Sequence, residues 1–275
     1  MYEFTQNDIQ QIQNHGLKLG VVRQQLADFA TGFPYSDIVR PAVIGDGVCA
    51  MLGEEYGQYC DAHRNEYKFV KFVPASGAAT RMFKDLFEFL ATGVMNKTTQ
   101  VVLDNLEQFA FWDDLKRVLP KRPMAHDIIE CLIAERGLNY GAMPKALLKF
   151  HKYKNANRTA LAEHLVEGAQ YATTNGVVNI HFTVSPEHIE GFDKLLAQIV
   201  PEFESKFGIK YQISKSVQKA ATDTIAVNLD NVPFRNEDGS LLFRPAGHGA
   251  LIENLNDIDG DLIFIKNIKK KLRKK

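Results

Sequence analysis

Four short strand-like segments, separated by stretches with helical periodicity, most constrain what this chain can fold into. Tyr67 to Val73 is rich in aromatic residues and Val, Asp261 to Ile265 is an apolar run fit for a buried strand, and Val177 to Val184 and Tyr211 to Ser216 also read as strands. Between them, residues 80–92 repeat apolar positions at Met82, Phe83, Leu86 and Leu90, and residues 159–173 and 186–207 read as further helices. Thr159 is placed to cap the helix that follows it, with Glu163 in the first turn. Short strands are expected at 223–228 and 241–244, separated by an Asn236-Glu237-Asp238-Gly239 turn. Strands alternating with helices imply an α/β fold on a mostly parallel sheet. In such sheets ligands sit beyond the carboxyl ends of the strands.

Around that framework, residues 1–60 read as an N-terminal helical cap, from Ile9, Ile12, Leu17, Leu19, Val22 and Leu26. Residues 61–268 are the α/β domain, with a helical insertion at 94–143. A chain of 275 residues that is 45% hydrophobic and 24% charged can bury a sizeable core. Cys49, Cys60 and Cys131 are odd in number and lack metal-site spacing, so free thiols in a reducing compartment are expected. The start lacks a signal-peptide pattern, and no apolar run reaches the roughly twenty residues a bilayer needs. A cytoplasmic protein with no membrane partner is the expectation. Residues 266–275 hold seven Lys or Arg and no acid, which leaves the rest of the chain at about −7. No basic stripe suits duplex DNA, so no nucleic-acid partner is expected either.

The segment Val73-Pro-Ala-Ser-Gly-Ala-Ala-Thr-Arg-Met-Phe-Lys84 runs from strand through small residues into helix. Small residues there leave main-chain N–H groups accessible to phosphate oxygens, and a helix start adds partial positive charge. Ser76, Gly77, Ala78, Ala79 and Thr80 are the candidate phosphate-binding residues, and Arg81 offers a forked cation for a leaving pyrophosphate. The pattern is neither a P-loop nor a dinucleotide fingerprint. A tight strand-to-helix turn is the structural alternative.

Two further stretches follow. Pro144-Lys145 precedes Thr159-Ala-Leu-Ala-Glu-His-Leu-Val-Glu167; Lys145 is a flexible point charge suited to a phosphate. Gln218 follows the strand ending near Ser216, and its amide can both donate and accept at a base edge. Arg244-Pro-Ala-Gly-His-Gly-Ala-Leu251 then supplies Gly247, His248 and Gly249, with His248 assigned ligand contact rather than catalysis.

In this order the three stretches resemble the UDP-sugar pyrophosphorylases of the nucleotide-diphospho-sugar transferase superfamily. The Pro-Ala-Ser-Gly-Ala-Ala-Thr-Arg, Leu-Leu-Lys-Phe-His-Lys-Tyr and Phe-Arg-Pro-Ala-Gly-His-Gly-Ala-Leu-Ile-Glu-Asn-Leu stretches are similar to a bacterial family known as a domain of unknown function, DUF 4301. The resemblance implies a Rossmann-like, GT-A-like sheet with N-terminal and inserted helices. It implies a nucleotidyltransferase that makes a nucleotide-sugar from a nucleoside triphosphate, UTP favoured, and a sugar 1-phosphate. Residues 76–80 would then hold the triphosphate, with Arg81 and Lys145 as the catalytic cations, and Gln218 with Gly247, His248 and Gly249 would read base and sugar. Magnesium is the cofactor it implies.

One departure stands out. After Leu262-Ile-Phe-Ile-Lys-Asn-Ile268 the family's metal-binding Asp is expected, and Lys269 takes its place, so no metal ligand is assigned. Residues 269–275 are expected to be a basic tail left by truncation or frameshift, with activity impaired. A non-catalytic nucleotide or nucleotide-sugar binder is the alternative function, and a tail that binds nucleic acid or anionic lipid is the alternative reading of the lysine run.

Overall fold

A computed structural model describes residues 2–33, 35–50, 53–77, 79–154 and 156–268. The chain forms two compact units, Met1–Glu66 with Gln218–Asp257, and Tyr67–Val217 with Ile258–Lys275.

The first unit is organised by α1 (Gln6–Asn14) and α2 (Leu19–Thr31). Thr5 starts α1 with a capping box: its hydroxyl accepts from the Asp8 amide at 3.2 Å, and the Asp8 carboxylate accepts from the Thr5 amide at 2.9 Å. Gly16 then turns the chain at φ +83°, where an L side chain is strained, and a Cβ would lie 3.3 Å from that of Ala221. Ile12, Leu17 and Val22 pack against Ile225 and Leu241. Ile225 belongs to the antiparallel pair Thr224–Ile225 and Phe243–Arg244. The turn predicted at 236–239 is present: Gly239 takes φ +81°, and the Asn236 amide donates to the Ser240 carbonyl at 2.9 Å. Two side chains tie this ribbon to α1. Arg235 donates to both Asp8 oxygens at 2.8 and 2.9 Å, and the Gln11 amide pairs with both main-chain groups of Leu241 at 2.8 Å. A third helix, α3 (Glu54–His63), closes the N-terminal part.

The second unit is built on β1 (Phe69–Pro74), β2 (Thr173–Thr174), β3 (Val177–Thr183), β4 (Lys210–Ser216) and β5 (Leu262–Ile265). β1 and β4 flank β3 in parallel, β5 runs parallel to β1, and β2 pairs antiparallel with the first residues of β3. The sheet is therefore mixed, where the segment pattern predicts a mostly parallel one. The reason is local. Asn175 and Gly176 both take positive φ, 50° and 73°, so the chain doubles straight back into a two-residue hairpin.

Helices α4 (Lys84–Thr92), α5 (Lys97–Asp104), α6 (Trp112–Val118) and α7 (Ala125–Ile133) follow β1. They gather around Phe83, Leu86, Phe89, Leu115, Ile129 and Leu132. Asn96 caps α5 by accepting from the Thr99 amide at 2.9 Å. On one face of the sheet lie α8 (Ala160–Tyr171) and α9 (Ile189–Phe207). Thr159 caps α8, accepting from the Ala162 amide at 3.2 Å, as its sequence context predicts. Leu161 and Leu165 of α8 and Phe192 of α9 bury themselves fully over Val178, Ile180 and Phe182 of β3. Each such side chain contributes about 1.5–3 kcal/mol of burial. The three cysteines are unpaired. Among the described residues no helix is long and apolar enough to cross a membrane.

Candidate functional site

All four long strands of the second unit run the same way, so their carboxyl ends share one edge of the sheet. The segment Ser76–Arg81 leaves that edge from β1. Its start is fixed by the neighbouring strand: the Ala75 amide donates to the Thr183 carbonyl at 2.9 Å, and the Ser185 hydroxyl donates to the Ser76 carbonyl at 3.1 Å. Its end is a tight turn, Thr80–Met82, leading into α4. The amides of Ser76, Gly77, Thr80 and Arg81 make no hydrogen bond to another described residue. Gly77 is exposed, and a Cβ built on it would meet nothing within 4 Å. Internal packing therefore does not require glycine there. Ala79 is different: it is fully buried, and its amide donates to the Met143 carbonyl at 3.3 Å. Ala78 lies outside the described residues.

Lys145 comes to this loop through the main chain. Its amide donates to the Gly77 carbonyl at 3.2 Å, which joins the first and second sequence stretches. Arg81 is exposed, Lys145 is half-buried, and neither ion-pairs with a carboxylate among the described residues. Among the described residues, the arrangement leaves two cations without a carboxylate partner and four amides without an acceptor on one loop system.

Gln218 and Gly247–Gly249 belong to the other unit. There the Gln218 side chain donates to the Ala246 carbonyl and the Thr222 hydroxyl, both at 3.4 Å, so it sits beside the glycine loop. Gly247 precedes the turn His248–Leu251 in extended backbone, and neither Gly247 nor Gly249 has a neighbour a Cβ would touch. The His248 side chain lies outside what is described.

The sequence reading passed over a second constellation in the second unit. Lys71, in the middle of β1, is fully buried. Its ammonium donates to the His164 carbonyl at 2.8 Å and to Glu167 Oε2 at 3.1 Å, and lies 5.2 Å from the Tyr171 ring centre. Lys266, just past β5, reaches the same Glu167 oxygen at 2.8 Å. One turn earlier on α8, Glu163 accepts from Tyr153 at 2.6 Å and from Arg158 at 3.0 Å. Burial works to raise the pKa of the Glu167 carboxyl, but the hydrogen bond from Lys266 and the charge of Lys71 outweigh it and lower it to about 2. Glu163 is likewise pulled below the ordinary carboxylate range, its bonds to Tyr153 and Arg158 overcoming burial. His164 lies between these groups with Nδ1 unbonded, 3.9 Å from Glu167. Burial, helped by the charge of Lys71, lowers its imidazole to about 3, so the ring is neutral.

These residues line two adjoining clefts that share His151, Glu163, Glu167 and Lys266, one of about 340 Å³ and one of about 600 Å³. Two sequence signals could have found them. One is a lysine inside the otherwise apolar run Phe69-Val-Lys-Phe-Val73; the other is Glu163 and Glu167 at i, i+4 spacing beside His164 on an apolar helix.

The Lys266–Glu167 pair just past β5 does not itself suit magnesium, because Glu167 Oε2 already accepts from two lysines. Position 269 and the basic tail lie outside the described residues. Elsewhere, among the described residues, His126, Asp127 and Glu130 come close enough to share an ion, but Arg136 pairs with both carboxylates at 3.3 and 2.8 Å.

A family model described as Domain of unknown function (DUF4301) matches residues 5–274, and the chain belongs to that family. No curated protein and no solved structure matches it.

Proposed function

We propose that this member of the DUF4301 family binds the phosphates of a nucleoside triphosphate or nucleotide-sugar on the loop Ser76–Arg81, with Lys145 beside it. The observation that carries this reading is the bond from the Lys145 amide to the Gly77 carbonyl, which brings the main chain of Lys145 to a loop whose amides at Ser76, Gly77, Thr80 and Arg81 have no acceptor among the described residues, at the carboxyl edge of parallel strands. A Rossmann-like, GT-A-like relationship to the UDP-sugar pyrophosphorylases is part of the proposal, and UTP is the favoured nucleotide by that resemblance.

In the reaction this arrangement suits, an oxygen of a sugar 1-phosphate attacks the α-phosphorus of the triphosphate. The bond to the bridging oxygen breaks, and pyrophosphate leaves with the negative charge. Such chemistry is mostly positioning and charge neutralisation. The loop amides and Arg81 would take the leaving pyrophosphate, and Lys145 the attacking phosphate.

A second reading, a nucleotide binder without turnover, is favoured by one observation in the sequence: Lys269 stands where the resemblance expects the metal-binding Asp. Calorimetry with UTP, with and without magnesium, paired with a pyrophosphate-exchange assay, separates the readings. Metal-dependent exchange supports the transferase. Binding that is indifferent to magnesium, without exchange, supports the binder. Absence of any heat of binding removes both.

A further inference from the structure

We propose that the paired clefts over α8 form a second ligand site, for a phosphorylated sugar or a similar polyhydroxylated phosphate ester. The proposal is independent of the loop Ser76–Arg81 and stands or falls separately.

The first support is the cost of the floor. A fully buried lysine on a carboxylate is weak as a stabilising device, because desolvation offsets the Coulombic gain and apolar packing does as well or better. What Lys71 and Lys266 achieve is positional. They fix the Glu167 carboxylate in one orientation at the cleft, and Arg158 with Tyr153 does the same for Glu163. Two ionised carboxylates one helical turn apart, each held by its neighbours, are acceptors suited to vicinal hydroxyl groups. They do not suit a metal ion, because each is already neutralised.

The second support is the charge of the walls. Among the described residues the larger cleft is lined by Lys152, Arg158, Lys206 and Lys266 against Glu163 and Glu167, and Lys71 lies beneath. Lys152 and Lys206 are exposed at the rim, where a phosphate would remain partly hydrated. The third is shape. A volume of about 600 Å³ matches a ligand of a few hundred daltons, and Tyr153, Tyr171 and Phe207 add aromatic surface to its lining.

The test is calorimetric titration of the full chain with glucose 1-phosphate, with glucose and with inorganic phosphate as separate probes. Glucose 1-phosphate should bind, at least tenfold tighter than either part. Lys152→Ala combined with Lys206→Ala changes only exposed side chains and should weaken it at least tenfold. Lys145→Ala separates this site from the loop, where the proposed function places a sugar 1-phosphate: the component of ester binding that falls in the double lysine variant should persist in it. Inorganic phosphate binding as well as the ester would overturn the recognition of hydroxyls. No binding of the ester, or binding indifferent to the two lysine changes, would overturn the site. Complete loss of ester binding in Lys145→Ala would place the ligand at the loop instead. UTP titrated into the same variants tests the loop on its own, so the two failures are distinguishable.

Discussion

The loop Ser76–Arg81 and the cleft over α8 present polar groups in opposite ways. The loop is made of main chain and small residues, and its two cations stand apart from any carboxylate among the described residues. The floor of the cleft is made of long side chains committed to one another: Lys71 and Lys266 to Glu167, Arg158 and Tyr153 to Glu163. The difference teaches what each can tolerate. A loop held by main-chain bonds to Thr183, Met143 and Lys145 can lose a side chain and keep its shape. A cross-braced cluster cannot, because removing one member strands another in a medium that solvates it poorly.

That contrast breaks most visibly at Glu167. Changing Glu167→Leu leaves Lys71 buried without its carboxylate and should cost about 3–5 kcal/mol in a urea unfolding titration. Adding Lys71→Met to it should recover much of the loss. A single variant as stable as the parent would show that the cluster is not cross-braced.

Acid should act on the cleft and spare the loop. His164 is neutral when folded, with its pKa lowered to about 3 from an ordinary value near 6.5. The unfolded chain therefore binds a proton that the folded chain refuses. Between about pH 6.5 and 3 this residue makes stability fall as pH falls, by up to about 1.4 kcal/mol per pH unit. The charges facing it are Lys71 from β1, Glu167 from α8, and Lys266 and His151 beyond. Glu167 adds to the loss in a lower window: its depressed group gives stability above its unfolded value of about 4.5 that disappears as pH falls toward 2. His164→Gln should flatten the slope between pH 6.5 and 4.5, and an unchanged slope would assign it to other groups.

At the loop the signs reverse, with binding lost and stability kept. Arg81→Ala should weaken UTP at least tenfold, about 1.4 kcal/mol, while shifting the unfolding midpoint within the ordinary scatter of surface changes. The smallest effect is expected at Gly77. A methyl group there meets no protein atom, so Gly77→Ala should fold normally, yet it should lower UTP affinity several-fold if phosphate oxygens approach the main chain. Unchanged affinity would mean that the glycine serves neither packing nor binding.

The same contrast explains what could be read from the sequence. The helix start at Thr159, the strand Phe69–Pro74 and the turn ending in Gly239 are local events, set by a cap, an apolar run and a positive φ. The loop Ser76–Arg81 was legible for the same reason, since strand, small residues and helix are contiguous. The hairpin at Asn175-Gly176 carries an equally local signal, and missing it made the sheet look more parallel than it is. The cleft was not legible. Lys71 meets Glu167 ninety-six residues away, and Lys266 arrives from past the last strand, so their meeting depends on strand order. Nor could spacing show that Gln218 turns toward Ala246.

The account depends most on the amides of Ser76, Gly77, Thr80 and Arg81 being open to phosphate oxygens. Amide nuclear magnetic resonance spectra of the ¹⁵N-labelled chain, recorded while UTP is added, report on those four groups directly. The account predicts that their signals move together and saturate with the binding isotherm. Signals that stay in place while UTP binds, or a spectrum that UTP leaves untouched, would contradict it.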